Sequence, residues 1–435
     1  MQIISTKKKQ KILFVLAMTL SFYPAVSAFS QITLADCQKN ARENYPLVKQ
    51  YDLIDLSENY TIESIKKNNL PQVKVFGNIS YQSDATSIPF QIPGVEGRKG
   101  QPKDQYRLVL DIEQSIWDGG INSYKKSAAT LQHLEEKEKV NVNLYALKDR
   151  VIDVFFGALL MEEKLKLNKQ LQEKLHLNLK NIETYIQNGL ANNTDLDVMK
   201  AEILNVNQTA TMLLGEKESF LKMLSLLTGK EITNTDSLVR PIFLLRENEQ
   251  EEIKRPELRL FEVQEMLAQN DNKKSHAMYM PKISLFAQAG YGNPGLNMLR
   301  DKFEPYYVIG AKFSWNLSSL YTMKEDKLKI ANKISLINTN KDLFLFNTHL
   351  MIEKQNTKND YLLKQMEEDD EIISLKENIS KAAGAKVKNG TYSVSDMLRD
   401  ISDEYSARQK KVVHELEYLM YQYKLDYLIN NNNNL

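Results

Sequence analysis

The sequence predicts a mainly α-helical chain with a small β part: four short strands and two long helical hairpins, laid out as a duplication. Three observations predict this. None of the 11 prolines falls between Pro102 and Pro241 or after Pro305, so the strongest helix breaker is absent from most of the chain. Prolines also recur in the same pattern in both halves, Pro46 and Pro71 matching Pro256 and Pro281. After each second proline the hydrophobic period changes from that of a helix to that of a strand.

The first 30 residues read as a targeting segment. Lys7, Lys8, Lys9 and Lys11 form a basic stretch, Ile12 to Phe22 is apolar, and the small residues of Val26-Ser27-Ala28 or Ala28-Phe29-Ser30 suit cleavage. The apolar run is too short for a durable membrane anchor. Its removal leaves a slightly acidic exported chain. Leu34-Ala35-Asp36-Cys37 superficially resembles a lipid-attachment box, but an acidic residue directly before the cysteine fits poorly. Cys37 is read as a buried cysteine on a short helix.

Composition removes several classes. The 57 basic residues nearly balance 56 acidic ones, which excludes a strongly basic nucleic-acid binder and an acidic disordered chain. A single cysteine excludes an internal disulfide framework and a cysteine-based zinc site. No later segment offers 18 consecutive apolar residues, so a membrane-resident form of this chain would have to be a β-barrel.

The duplication sets the boundaries: a first repeat over 31–229, a linker over 230–254, a second repeat over 255–429 and a polar tail over 430–435. Each repeat opens with a charged helix, Leu47 to Asn69 or Glu257 to Met280. A strand pair follows, within 72–117 or 282–317. Val73, Val75, Ile79 and Tyr81 share one face opposite Lys74, Asn78 and Ser80. Leu108, Leu110, Ile112 and Ile116 alternate with Asp111, Glu113 and Ser115. In the second copy Ile283, Leu285, Ala287 and Tyr291 share a face. Tyr307, Ile309, Ala311, Phe313 and Trp315 do so after the next loop. Period-two runs of about ten residues with one apolar face are the transmembrane strand signature.

Long helices complete each repeat, over 120–228 and 320–429. Leu147, Val151, Val154, Ala158, Met161 and Leu165 make a heptad seam in the first, continued by Leu175, Leu179, Ile182 and Ile186. Ile372, Leu375, Ile379 and Ala382 make one in the second. Both blocks are interrupted by an Asn-Gly pair, Asn188-Gly189 and Asn389-Gly390, then resume over Thr194 to Leu227 and Ser393 to Ile429. Glycine just past a helix end is a natural cap, so each break reads as a tight reversal.

Four strands cannot close a membrane barrel, and open sheet edges are not tolerated in lipid. Either the strands lie outside a membrane or several chains pool them. Three chains give a β-barrel of twelve strands, with their helices pooled into an α-helical barrel below it: an obligate homotrimer.

The opening Thr33-Leu34-Ala35-Asp36-Cys37 through Ala41-Arg42-Glu43-Asn44-Tyr45-Pro46, the Trp117-Asp118-Gly119-Gly120 at a strand end and both Asn-Gly turns resemble the TolC-like outer-membrane efflux and secretion channels. The resemblance spans the whole mature chain. It implies a trimeric channel in outer-membrane lipid with a long periplasmic extension, an equatorial region near the linker, and two partners. These are an inner-membrane transporter of the RND, ABC or MFS type and a periplasmic adaptor docking at the turns, here Asn188, Gly189, Asn389 and Gly390. Family members often close the periplasmic end with aspartates just after the second turn. Asp396 matches the first such position, whereas Arg399, followed by Asp400, stands where a further acidic residue is common. Three copies of Asp396 would make a cation-favouring ring; the competing role is a cap on the helix starting near Ser393. Asp195 and Asp197 are read as caps.

Chemistry of other kinds finds little footing. Gly290-Tyr-Gly292-Asn-Pro-Gly295 matches a dinucleotide motif in form only, with proline inside and no βαβ unit around it, and is read as a surface loop. The histidines lack metal-pair spacing, and the acidic run Glu367 to Glu371 reads as a solvated face. We expect no catalysis, no cofactor, no metal and no nucleic-acid partner. The alternative is a periplasmic coiled-coil adaptor or scaffold of an envelope transport complex, a class with one helical hairpin and compact β-domains.

Overall fold

The structure, a computed structural model, describes residues 31–84, 103–189, 191–242, 252–298 and 300–430. The targeting segment, the middle of the linker and the last five residues of the tail lie outside them. In chain order the elements are β1 (Gln31–Ile32), α1 (Leu34–Asn44), α2 (Gln50–Lys67), β2 (Gln72–Tyr81), β3 (Asp104–Trp117), α3 (Ile121–Gln187) and α4 (Asn193–Thr228). Then follow β4 (Ser237–Leu238), α5 (Pro256–Tyr279), β5 (Lys282–Asn293), β6 (Glu304–Ser314), α6 (Met323–Lys388) and α7 (Val394–Ile429). Short 3-10 turns precede α2 and α6, at Pro46–Lys49 and Leu317–Thr322. The duplication is close in length. Helices α3 and α6 have 67 and 66 residues, and α4 and α7 have 36 each. No described helix is long and apolar enough to cross a membrane.

The chain divides into two compact units, 1–41 with 151–244 and 364–420, and 42–150 with 245–363 and 421–435, each drawing on both halves of the sequence. The second unit holds the sheet. Its four strands run antiparallel in the order β2-β3-β5-β6, so the central β3–β5 pairing joins the two repeats. Register puts Val73, Val75 and Ile79 opposite Ile112, Leu110 and Tyr106, then Leu110 and Ile112 opposite Ala289 and Ala287, and these opposite Tyr307 and Ile309. Between Asp104 at the loop end and Gln114 at the helix end one face is therefore apolar, and it is exposed: Ile79 is 78% accessible and Ile309 74%. The other face carries Lys74, Asn78, Asp111, Glu113 and Gln288, with Gln288 donating to Asp111 at 2.9 Å and Ser284 to Glu113 at 2.8 Å. A register shift between Ser115 and Trp117 brings Trp117 opposite Ile283 on the apolar face. Aromatic side chains mark both ends of that face. Tyr81, Tyr106, Tyr291 and Tyr307 stand at the loop end, Trp117, Phe313 and Trp315 at the helix end, all exposed. The outer edges of β2 and β6 have no strand partner among the described residues.

The same unit holds a boxed cation. The Arg255 guanidinium lies 5.8, 5.0 and 5.1 Å from the ring centres of Tyr145, Tyr427 and Phe344, and it pairs with Glu257. Tyr145 donates to the Tyr427 carbonyl at 2.5 Å, and the Lys254 amide donates to the Ile429 carbonyl at 2.9 Å. The end of α7 is thereby tied to the start of the second repeat.

In the first unit Cys37 sits on α1, 1% exposed, as expected. Burial, reinforced by Asp36 and opposed by Lys230, pushes its thiol up to about 12. The seam of α3 is buried at Leu147, Val151, Val154, Ala158 and Met161. That of α6 differs from expectation. Ile372, Leu375 and Ile379 are 43, 56 and 48% exposed, and the buried positions are Ile373, Ala383 and Val387. Two adjacent apolar faces compete on this helix, and the chain's own core takes the one a residue further on. The acidic run also needs correction as a purely solvated face. Asp369 is 5% exposed and accepts from His414 at 2.8 Å, while Asp370 pairs with Lys411. Gly290 and Gly292 lie inside β5, not in the loop after it.

Candidate functional site

Both Asn-Gly breaks are tight helix reversals. At the second, the Gly390 amide donates to the Val387 carbonyl at 3.0 Å and the Thr391 amide to the Lys386 carbonyl at 3.0 Å, the paired bonds of a Schellman cap. At the first, the Gly189 amide donates to the Ile186 carbonyl at 3.0 Å. Gly189 and Gly390 have φ of +71° and +69°, with no atom within 4 Å of where a Cβ would stand. Glycine is needed there for its backbone, not for space.

The helices that leave the turns start alike. Asn192 caps α4, its side chain accepting from the Asp195 amide at 3.0 Å while the Asp195 carboxylate accepts from the Asn192 amide at 3.0 Å. Ser393 caps α7, its hydroxyl accepting from the Asp396 amide at 3.0 Å and donating to the Asp396 carboxylate at 2.6 Å. Asp195 and Asp396 are thus equivalent capping residues, each in the third helical position, where an anion also favours the helix dipole.

Asp396, Arg399 and Asp400 gather around a residue the sequence reading passed over, Tyr392. Arg399 pairs with Asp396 at 3.2 Å and donates to the Tyr392 hydroxyl at 3.4 Å, and that hydroxyl donates to Asp400 at 3.1 Å. Desolvation first and the Asp400 hydrogen bond second push the Tyr392 hydroxyl up. The Lys386 ammonium lies 5.5 Å from the Tyr392 ring centre. The Arg399 pair is exposed and therefore weak, yet it places a cation beside the carboxylate that would line a ring.

Beneath the turns, four helices share one apolar core. Leu171, Leu175 and Ile182 come from α3, Met199, Ile203 and Val206 from α4, Ala383 and Val387 from α6, and Val394, Met397 and Ile401 from α7. A polar hub adjoins it. Glu404, 6% exposed, accepts from Lys174 at 2.6 Å and from Arg408 at 3.1 Å, and Lys174 also donates to Ser380 at 2.8 Å. Burial pushes the Glu404 carboxyl up, but the hydrogen bonds and charges of Lys174 and Arg408 outweigh it and hold the group below the ordinary range. Three helices, α3, α6 and α7, meet at this one carboxylate. No group of three His, Cys, Asp or Glu among the described residues could hold a metal ion.

No family model and no curated protein matches this chain. Solved structures do. CusC, described as forming a transmembrane channel, aligns with a TM-score of 0.66 at 14% identity over 92% of both chains. VceC, an outer membrane protein of Vibrio cholerae, aligns at 0.63 and 13% identity over 92% of this chain and 96% of its own. The fold is the one seen in TolC-like outer-membrane channels. CmeC, an outer membrane channel of Campylobacter jejuni, extends the likeness at 0.63 and 14% identity, over 91% of this chain and 85% of its own.

Proposed function

We propose that this chain is the outer-membrane exit duct of a tripartite efflux pump or a type I secretion system, working as a homotrimer. The observation that carries the reading is the sheet. A continuous exposed apolar face, bounded by aromatic side chains at both ends, is carried by four strands whose two outer edges lack strand partners among the described residues. From Tyr106 to Trp117 the strand runs roughly 35 Å, or about 27 Å of depth at a tilt of about 40°, matching an outer-membrane apolar band. Unpaired edges are untenable in lipid, so β2 of one copy pairs with β6 of the next until twelve strands close. The exposed seam of α6, Ile372, Leu375 and Ile379, is the corresponding helical surface for the neighbouring copy.

The duct is passive. Cargo moves along the polar face of the barrel and down the helical tube, and selection rests with an inner-membrane transporter. A periplasmic adaptor docks at the turns around Asn188-Gly189 and Asn389-Gly390, and opening spreads the helices there. Asp396, with Arg399 and Asp400, lines the constriction. Two hairpins, each preceded by a strand pair, weigh against the adaptor alternative. Envelope fractionation tests the reading. The protein should stay with outer membranes through a high-salt wash and, once purified in detergent, should conduct ions across planar bilayers. Release by salt alone would overturn it.

A further inference from the structure

One end of the sheet is chemically unlike the other. Four helices begin or end there, and three of them bring two adjacent, exposed lysines each: Lys66 and Lys67 at the end of α2, Lys125 and Lys126 in the first turns of α3, Lys273 and Lys274 in the last turns of α5. The first turns of α6 add Lys324 and Lys327. Side-chain bonds tie these segments to the strand ends. Gln114 of β3 donates to the Asn69 carbonyl at 2.8 Å, Asn122 donates to the Asn69 side chain at 2.5 Å, Tyr124 donates to Asp271 at 3.3 Å, and Trp315 donates to the Tyr279 carbonyl at 3.0 Å.

Four of the neighbouring carboxylates are already engaged, and Glu325 in the first turn of α6 is a fifth acidic neighbour. Glu63 pairs with Lys66 at 2.7 Å, Asp118 accepts from the Gly120 and Asn122 amides, Asp271 pairs with Lys333 at 2.9 Å, and Asp326 accepts from Tyr279 and Thr322. Lys67, Lys125, Lys126, Lys273 and Lys274 make no ion pair among the described residues. At the loop end both signs are mixed, with Lys103, Arg300 and Lys302 beside Asp84, Asp104, Asp301 and Glu304. With Glu63, Asp118, Asp271, Glu325 and Asp326 counted against them, the lysines remain in excess, so this end is a predominantly cationic collar just beyond Trp117 and Trp315, where the apolar face stops.

We propose that this lysine collar binds anionic glycerophospholipid headgroups in the leaflet on the helix side of the sheet. Charge complementarity and level select the occupant. The apolar face and its tryptophans fix where acyl chains end, and long cationic side chains one to three helical turns further on reach the phosphates of that leaflet. Basic side chains next to a membrane span attract anionic lipid in this way, within about a Debye length. The inference rests on the membrane reading of the sheet.

The test uses the two tryptophans of the chain, Trp117 and Trp315, as reporters. The full-length protein is reconstituted into vesicles of zwitterionic phosphatidylcholine mixed with phosphatidylglycerol, one of the two brominated in its acyl chains. Tryptophan quenching then gives the relative association of each lipid. Brominated phosphatidylglycerol should associate about fivefold better than brominated phosphatidylcholine at low salt, the equivalent of about one lysine–headgroup contact. The ratio should fall toward one in high salt, and in a variant combining K125Q, K126Q, K273Q and K274Q. Equal quenching by both lipids at low salt overturns the collar and leaves the membrane reading intact. No quenching by either lipid overturns the membrane reading, and the collar with it.

Discussion

Ser393 and Asp396 hold each other across the first turn of α7: the serine hydroxyl accepts from the Asp396 amide at 3.0 Å and donates to its carboxylate at 2.6 Å. The candidate gate residue is thus also a structural cap, and two substitutions separate the roles. Ser393→Ala removes the cap and keeps the charge. It should cost about 1 kcal/mol of helix stability and leave channel selectivity unchanged. Asp396→Ala should cost a similar amount and also reduce cation selectivity or divalent block in bilayer recordings. Unchanged selectivity in Asp396→Ala rejects the ring without touching the fold.

The two turn glycines are held by their backbone conformation alone. Gly390→Ala should destabilise the turn by about 1 kcal/mol, and Gly189→Ala by a similar amount, because an L side chain is strained at positive φ even with open space around it. Thermal melts followed by helical circular dichroism read this directly. Gly215→Ala, in the middle of α4 and also facing open space, should be neutral or slightly stabilising.

Glu404 makes the turn-proximal helices sensitive to acid. Its carboxyl is depressed in the folded chain, so its stabilisation is fully present above the ordinary carboxylate pKa and is lost as pH falls through the folded value. Melting temperature should therefore drop on acidification below the ordinary carboxylate range. Glu404→Gln should cost about 2 kcal/mol at neutral pH by leaving Lys174 and Arg408 without their shared anion, and it should flatten the acid limb. An acid limb unchanged by Glu404→Gln would assign it to other carboxylates.

The two faces of the sheet should respond oppositely to charge. Ile309→Lys, mid-strand on the apolar face, should cost roughly 2–4 kcal/mol of membrane stability and lower the amount of protein in the outer membrane. Asn78→Lys, on the polar face, should be tolerated. Heat-resistant oligomer on gels of membrane extracts gives the comparison.

Cys37 should be inert in the native chain. Buried and with its thiol pushed up to about 12, it should resist maleimide at neutral pH and react once the protein is unfolded.

Much of this was legible in the sequence for definite reasons. Proline and glycine punctuate where a helix cannot continue, so Pro71, Pro281, Gly189 and Gly390 mark element ends to within a few residues. Strand faces followed from alternation because β-register leaves only two choices. Periodicity alone was weaker on α6, where Ile372, Leu375 and Ile379 form as good a stripe as the buried Ile373, Ala383 and Val387. Which stripe turns inward depends on the partner helix, and a pattern on one helix does not contain that. The clusters were the least legible part. Tyr392 joins Arg399 to Asp400 through a turn, and Lys174 meets Glu404 from a position 230 residues away in the chain, so no local motif announces either.

In the proposed trimer one chain supplies a third of a closed membrane barrel. Native mass spectrometry of the protein extracted from outer membranes into mild detergent tests it most directly. One dominant species of three mature chains that persists on dilution is expected. A monomer or dimer from intact membranes, with the edges of β2 and β6 unshared, would contradict it.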